Sequence, residues 1–211
     1  MMELSELKKG TTTIGMQCKD GIVLASESRS TMGNMIAHKY AEKIYRLDDN
    51  LGMTTAGLVG DDQAIARYVK AEIELFRLKN GRNMSVRSAA SLTANILHGN
   101  RYAPFFVGLI VGGVDDHGAS VYGLDAAGGL TDDRYVSVGS GSPFALGVLE
   151  DHFSEDITVN DAIDVALRAV HAAMERDSAS GGRAAIVSIT QKGFSRIDEK
   201  EIEKRWNKIQ K

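Results

Sequence analysis

The chain has 211 residues, 43% hydrophobic and 25% charged, enough apolar material for a single domain with its own core. Its 25 Lys and Arg against 28 Asp and Glu give a formal net charge of -3, which excludes a nucleic-acid binder that relies on a strongly basic surface. The single Cys18 excludes an internal disulfide and a cysteine-cluster zinc site, and the longest apolar run, residues 105–114, is about half of the roughly 20 that a membrane span needs.

The first ten residues, MMELSELKKG, are polar and carry no apolar signal-peptide core, so they read as a separate segment of a cytoplasmic protein. TTTIGMQCK and IVLASES flank Asp20-Gly21 and predict a β-hairpin. A second hairpin is expected over residues 44–55, turning at Asp48, Asp49 and Asn50. A helix follows, capped by Asp61 or Asp62, with Ile65, Tyr68, Val69, Ile73 and Phe76 stepping by three and four. Ser85 caps the next, which carries Ala89, Leu92 and Ile96 on one face. Residues 105–114 and 119–124 then read as paired strands around the turn at 115–118, and 135–138 as another short strand. A third helix spans about 143–153, with Pro143 suited to its first turn. A fourth begins at Thr158, where Thr158 and Asp161 form a capping-box-like pair ahead of the stripe Val159, Ile163, Ala166, Leu167, Val170 and Met174. Strands at 184–190 and 193–197 precede a terminal helix with Ile202, Trp206 and Ile209 on one side.

The order is strands, two helices, strands, two helices, strands. Hairpin links imply antiparallel sheets, and near-continuous apolar strands imply sheets covered on both faces. Two stacked antiparallel sheets with a helix pair on each outer side satisfy both demands, an α+β chain folded as a four-layer αββα sandwich.

Three segments can carry chemistry. Cleavage after Gly10 would give Thr11 a free amine on the same residue as its hydroxyl. Such an amine has a pKa near 8 and can take the hydroxyl proton, activating the oxygen as a nucleophile. Gly10 has no side chain to obstruct attack by Thr11 on its own carbonyl. A nearby lysine would lower the amine's pKa and stabilise the oxygen. Lys43 is a candidate, with Glu27 as the partner that a buried lysine requires. Gly139-Ser140-Gly141-Ser142-Pro143 lacks the lysine of a phosphate-binding loop and reads as a turn that aims a serine hydroxyl and backbone groups inward. Arg176-Asp177-Ser178-Ala179-Ser180-Gly181-Gly182 ends the fourth helix, where Asp177 and Ser180 can reach back to an amine. The histidines at 38, 98, 117, 152 and 171 show no metal-ligand spacing, so neither a metal nor another cofactor is expected.

Taken together, GTTT at 10–13, Glu27, Lys43 in EKIY, GMTTAGLVGD at 52–61, LDAAGG at 124–129, GSGSP at 139–143 and RDSASGG at 176–182 resemble the β subunit of the 20S proteasome, most closely the archaeal type. The resemblance covers about residues 10–205. It implies the N-terminal-nucleophile hydrolase fold and a threonine-type endopeptidase. It further implies Thr11 as nucleophile and, once freed, as general base. Lys43 would be the tuning lysine and Glu27 its acidic partner, where many relatives have aspartate. Ser140, Asp177 and Ser180 would orient the amine and relay protons, and the Gly57 N–H would be the oxyanion donor. Residues 1–10 would be a propeptide removed by autocleavage at Gly10/Thr11, leaving 11–211 as one catalytic domain. An extended, unfolded substrate would lie between the segments near Thr31 and those near Gly57 and Val59, beside a pocket lined by Ser30, Ala41, Tyr45, Thr55, Val59 and Gln63. These lining residues lead to an expected preference for cleavage after neutral, mainly apolar residues. The implied partners are a homo-heptameric β ring, α-subunit rings in a four-ring α7β7β7α7 barrel, and indirectly an ATP-dependent unfoldase, with no nucleic acid and no membrane.

Three alternatives stand beside this reading. They are the related bacterial two-ring peptidase, a catalytically silent ring subunit, and a small-molecule amidase on the same fold. Chain length and RDSASGG favour the proteasome over the first, the presence of both Thr11 and Lys43 disfavours the second, and an enclosed single-substrate pocket would mark the third.

Overall fold

The computed structural model describes residues 10–210. Of the proposed leader segment only Gly10 is therefore described; residues 1–9 lie outside. In chain order, β1 (Thr13–Cys18) and β2 (Gly21–Glu27) form the first hairpin and β3 (Ser30–Met32) and β4 (Met35–His38) a small second one. β5 (Ile44–Asp48) and β6 (Leu51–Gly57) form the third, followed by α1 (Val59–Asn80) and α2 (Val86–Gly99). β7 (Val107–Asp115), β8 (Gly118–Leu124), β9 (Leu130–Asp132) and β10 (Tyr135–Val138) lead into α3 (Ser142–His152) and α4 (Val159–Arg176). β11 (Ala184–Thr190), β12 (Gly193–Arg196) and α5 (Glu199–Ile209) close the chain.

The long strands make two antiparallel five-stranded sheets, ordered β10-β1-β2-β11-β12 and β5-β6-β7-β8-β9. In the inner strands, side chains alternate between two different cores. In β2, Val23 and Ala25 pack under α3 and α4, while Ile22 and Leu24 face the second sheet. In β7, Leu109 and Val111 pack under α1 and α2, while Ile110 and Val114 face the first sheet. Three buried clusters thus separate four layers, as the hairpin links and near-continuous apolar strands predict. Glycines let the sheets approach: a Cβ on Gly15 would stand 2.7 Å from both Ile110 Cγ2 and Val121 Cγ1, and one on Gly112 would stand 2.8 Å from Ile22 Cδ1.

Most boundaries agree with the sequence reading. Ser85 caps α2 through Ser88 N, and Thr158 caps α4 through Asp161 N while its own hydroxyl donates to Asp161 Oδ2. One expectation needs correction. Neither Asp61 nor Asp62 caps α1, which starts earlier, behind Leu58 and without a side-chain cap. Asp61 instead accepts from Phe106 N at 2.9 Å and ties the start of the helix to the approach to β7. The β3–β4 hairpin and β9 were not anticipated. β4 and β9 are exposed along their whole length, so no alternation marks them.

Candidate active site

Thr11 precedes β1 on the first sheet, and Glu27 ends β2 beside it: Glu27 N donates to Thr12 O at 3.3 Å. Lys43 lies at the entry to β5 on the second sheet, where its carbonyl accepts from Thr55 N at 3.0 Å. Its side chain crosses between the sheets. Lys43 Nζ donates to Thr11 Oγ1 at 2.6 Å, to Arg29 O at 2.5 Å and, through a short contact, to Glu27 Oε1. An ammonium has three N–H donors, and each here has an acceptor. All three side chains of the triad are buried, Glu27 completely.

Glu27 is held as firmly. Oε1 accepts from Lys43 and from Thr12 N at 3.3 Å, and Oε2 accepts from Arg29 N at 2.6 Å and Gly181 N at 3.0 Å. Burial pushes the Lys43 ammonium below the usual lysine range. Attraction to Glu27 is the largest opposing influence, with Asp62 and Asp177 adding to it from further away. The result is a lysine whose proton is easier to lose than in water. As a neutral amine it can keep N–H bonds to Glu27 and Arg29 O and turn its lone pair to the Thr11 hydroxyl.

The second half of the site comes from the GSGSP turn and the end of α4. Thr11 N donates to Ser140 Oγ at 3.2 Å, and Ser140 Oγ donates to Asp177 Oδ2 at 2.5 Å. Ser180 Oγ reaches the same Oδ2 at 2.7 Å and is also 2.7 Å from Thr12 Oγ1. The turn is fixed by Gly139, whose φ of +111° suits glycine and whose missing side chain leaves room for Thr11 O. Gly141 N then donates to Thr11 O at 3.4 Å. Five of the seven residues singled out for catalysis, with the turn glycines, therefore converge with Thr11. Gly57 ends β6 on the second sheet, opposite Val107.

The expected pocket residues fall on three neighbouring elements. Ser30 and Thr31 are on β3, Tyr45 and Thr55 on β5 and β6, and Val59 and Gln63 in the first turns of α1, with Ala41 bonded to Ser28 O at 2.7 Å. Ser30, Thr31 and Thr55 are buried, and Gln63 is exposed. Gly10 N donates to Thr31 Oγ1 at 3.4 Å, so the residue preceding Thr11 already leans on β3. Cys18 offers no competing nucleophile, being buried with its thiol pushed up to about 12, mainly by that burial.

Among the described residues, no group of three or more His, Cys, Asp or Glu is arranged to hold a metal ion, and no helix is long and apolar enough to cross a membrane.

Residues 7–189 match the family model described as proteasome subunit. A protein named proteasome subunit beta from Methanothermobacter thermautotrophicus is 50% identical over 198 residues, covering 93% of this chain and 94% of that one. Its namesake from Methanobrevibacter ruminantium is 49% identical over 201 residues, covering 95% and 96%. That from Methanosarcina mazei is 48% identical over 205 residues, covering 97% and 98%. The chain belongs to the proteasome β-subunit family. It is a 20S proteasome β subunit of the archaeal type, a protease that assembles with α subunits into proteasome rings.

Within this proteasome β subunit, three contributors to the site escaped the sequence reading. Arg29 offers its N–H to Glu27 and its carbonyl to Lys43, while its guanidinium donates to Ser178 O at 3.1 Å and lies against Gly181. Gly181 offers a second N–H to Glu27, and Thr12 joins Ser180. Two of the three act through main-chain groups that every residue type possesses, so only their position in ESRS and SASGG could have flagged them.

Proposed function

We propose that this subunit is a threonine-type endopeptidase whose nucleophile is Thr11 Oγ1, exposed by self-cleavage between Gly10 and Thr11. The observation that supports it most is the 2.6 Å contact between Lys43 Nζ and Thr11 Oγ1, with Glu27 and Arg29 O occupying the other two donors of the lysine.

In the uncut chain, neutral Lys43 takes the Thr11 hydroxyl proton and Oγ1 attacks the Gly10 carbonyl carbon. Oγ1, Cβ, Cα and N of Thr11 close a five-membered ring with that carbon. Collapse breaks the C–N bond, the nitrogen takes a proton, and an ester links Gly10 to Thr11. Water hydrolyses the ester, freeing a Gly10 carboxylate and restoring the Thr11 hydroxyl beside its new amine; the proton released returns Lys43 to its charged form. Residues 1–10 are the part lost and 11–211 the catalytic domain.

The freed amine then occupies the position beside Ser140 Oγ, which Asp177 holds by its own hydrogen bond. It takes the Oγ1 proton as Oγ1 attacks a substrate carbonyl, assisted by the neighbouring Lys43 charge, which lowers the amine's pKa. The Gly57 N–H receives the oxyanion, a donor of the kind worth roughly 10²–10³ in rate. The leaving amine departs with the proton, and water activated by the Thr11 amine hydrolyses the acyl ester. Ser180 and Thr12 complete the chain of hydroxyls around Asp177. Substrate adds as an extended strand between β3 and residues 57–59, with its side chain beside Ser30, Thr31, Ala41, Tyr45, Thr55, Val59 and Gln63.

A site that accepts any extended chain needs an enclosure. The working form is a heptameric β ring stacked in an α7β7β7α7 barrel in the cytoplasm, supplied with unfolded protein by an ATP-dependent unfoldase. The test is co-expression with an α subunit, followed by intact mass and peptide hydrolysis for wild type and Thr11→Ala. Wild type loses residues 1–10 and hydrolyses peptide; the variant does neither. Peptide hydrolysis by Thr11→Ala at the wild-type rate would refute the scheme.

A further inference from the structure

We propose that Thr12 is a positioning residue for peptide hydrolysis: its hydroxyl pins Ser180 on Asp177 and so keeps the freed Thr11 amine on Ser140, with its lone pair directed at Oγ1. The proposal rests on the reading of Thr11 as nucleophile and base, and it adds a residue to that site.

Thr12 touches both halves of the site. Its main chain meets Glu27: Thr12 N donates to Oε1 at 3.3 Å, and Thr12 O accepts from Glu27 N at 3.3 Å. Its side chain reaches the other half, where Oγ1 stands 2.7 Å from Ser180 Oγ. Both residues are fully buried, so bulk water does not compete for either hydroxyl. Gly141 makes room for the pair. A Cβ there would stand 2.0 Å from Thr12 Oγ1 and 3.1 Å from Ser180 Oγ. The φ of Gly141 is -85°, open to any residue, so what this position uses is the missing side chain.

The direction of the contact is fixed by the protons available. Each hydroxyl has one to give, and an ionised carboxylate only accepts. Ser180 Oγ gives its proton to Asp177 Oδ2 at 2.7 Å, so Thr12 is the donor to Ser180. Ser140 gives its proton to the same Oδ2, and its oxygen accepts from Thr11 N at 3.2 Å. Ala179 N donates to the other oxygen, Oδ1, at 3.2 Å. Two strings of donors, from Thr12 through Ser180 and from Thr11 through Ser140, therefore end on one carboxylate oxygen.

This order matters most after the cut. In the uncut chain Thr11 N belongs to an amide, which donates and does not accept. The freed amine does either, and it works as a base only while it donates to Ser140 and keeps its lone pair for the Oγ1 proton. Without the Thr12 hydroxyl, Ser180 Oγ keeps its bond to Asp177 and loses its donor inside a buried site. Ser140 and Ser180 share Oδ2, so the amine is the neighbouring group with protons to spare. It turns one toward Ser180, and its lone pair leaves Oγ1.

The test uses particles assembled with the α subunit and carrying Thr12→Val, which deletes the hydroxyl at nearly constant shape, or Thr12→Ser, which keeps it. Thr12→Val is expected to lower kcat for a fluorogenic peptide about three- to tenfold, the worth of one hydrogen bond, with KM within about twofold of wild type because Thr12 is buried. Thr12→Ser is expected to recover most of that loss. Removal of residues 1–10, followed by intact mass in a pulse-chase, is expected to slow less in Thr12→Val than hydrolysis does. Thr12→Ala takes the place of Thr12→Val in each comparison should the latter not assemble. Wild-type kcat in the hydroxyl-free variant, equal losses in it and in Thr12→Ser, or processing slowed as much as hydrolysis would overturn the proposal. A Thr11→Ala particle separates the two levels: residual hydrolysis there sinks the nucleophile reading and the role of Thr12 with it, whereas a silent Thr11→Ala particle beside an unimpaired Thr12→Val particle sinks only the role of Thr12.

Discussion

Lys43 Nζ donates to Thr11 Oγ1 at 2.6 Å although the two residues are 32 positions apart and lead into strands of different sheets. Its other donors are held by Glu27 and Arg29 O, so the lysine has no alternative geometry to relax into. Lys43→Arg keeps the charge but cannot lose a proton at working pH. We expect Lys43→Arg and Lys43→Ala both to retain residues 1–10 by intact mass and to lose about 10²-fold or more of peptide hydrolysis. Processing of Lys43→Arg at the wild-type rate would remove the lysine as the proton acceptor.

Glu27→Gln leaves Lys43 buried beside a neutral amide. Losing one partner of a buried pair costs on the order of 3–5 kcal/mol, to be read as a lower denaturation midpoint. Glu27 is also the largest influence raising Lys43, so the lysine falls further and the acidic limb of the processing-rate profile moves to lower pH. A limb that stays in place in Glu27→Gln would show that Lys43 does not set it.

The same shift has a consequence for stability. Lys43 is depressed in the folded chain relative to its ordinary 10.5. Between those two values the unfolded chain binds more protons than the folded one, so stability from this group rises with pH across that window and levels off above it. Lys43→Met removes the slope. Denaturant midpoints at a series of pH values, wild type against variant, check the sign.

Both halves of the fold were legible because β2 and β7 are near-continuous apolar runs that must be covered on both faces, as they are between two cores, and because α4 carries its apolar stripe behind a Thr158–Asp161 cap. The β3–β4 hairpin was not legible, since every residue of β4 is exposed and no face is selected for burial. The start of α1 is hidden in the sequence because Asp61 and Asp62 have the chemistry of caps, whereas Asp61 serves Phe106 and Asp62 is buried. At the site, Thr11, Glu27, Lys43, Ser140, Asp177 and Ser180 were assigned by side-chain chemistry and resemblance. The amides of Arg29 and Gly181 that fix Glu27 have no such signature.

Gly10 is buried, and a Cβ there would fall on Ala179 and stand 2.6 Å from Ser140 Oγ. Gly10→Ala should therefore slow self-cleavage by about tenfold or more, since misplacing the reacting carbonyl by about an ångström is enough. A chain expressed to begin at Thr11 bypasses the defect. Accumulation of the uncut chain in pulse-chase mass spectrometry checks it, and cleavage at the wild-type rate contradicts it.

Gly15 lies between the sheets with Ile110 and Val121 pressed against it. Gly15→Val forces side chains into a filled space and should cost about 1–3 kcal/mol or more. A lower denaturation midpoint would show it. Because the two sheets carry opposite halves of the Lys43–Thr11 contact, hydrolysis should fall further than stability alone explains.

That division gives the two-sheet architecture a mechanical meaning. Thr11 and Glu27 stand on the side of one sheet and Lys43 at the edge of the other, so a slide of one slab over its neighbour would change the 2.6 Å separation of Lys43 Nζ from Thr11 Oγ1, the pair on which the proposed chemistry depends.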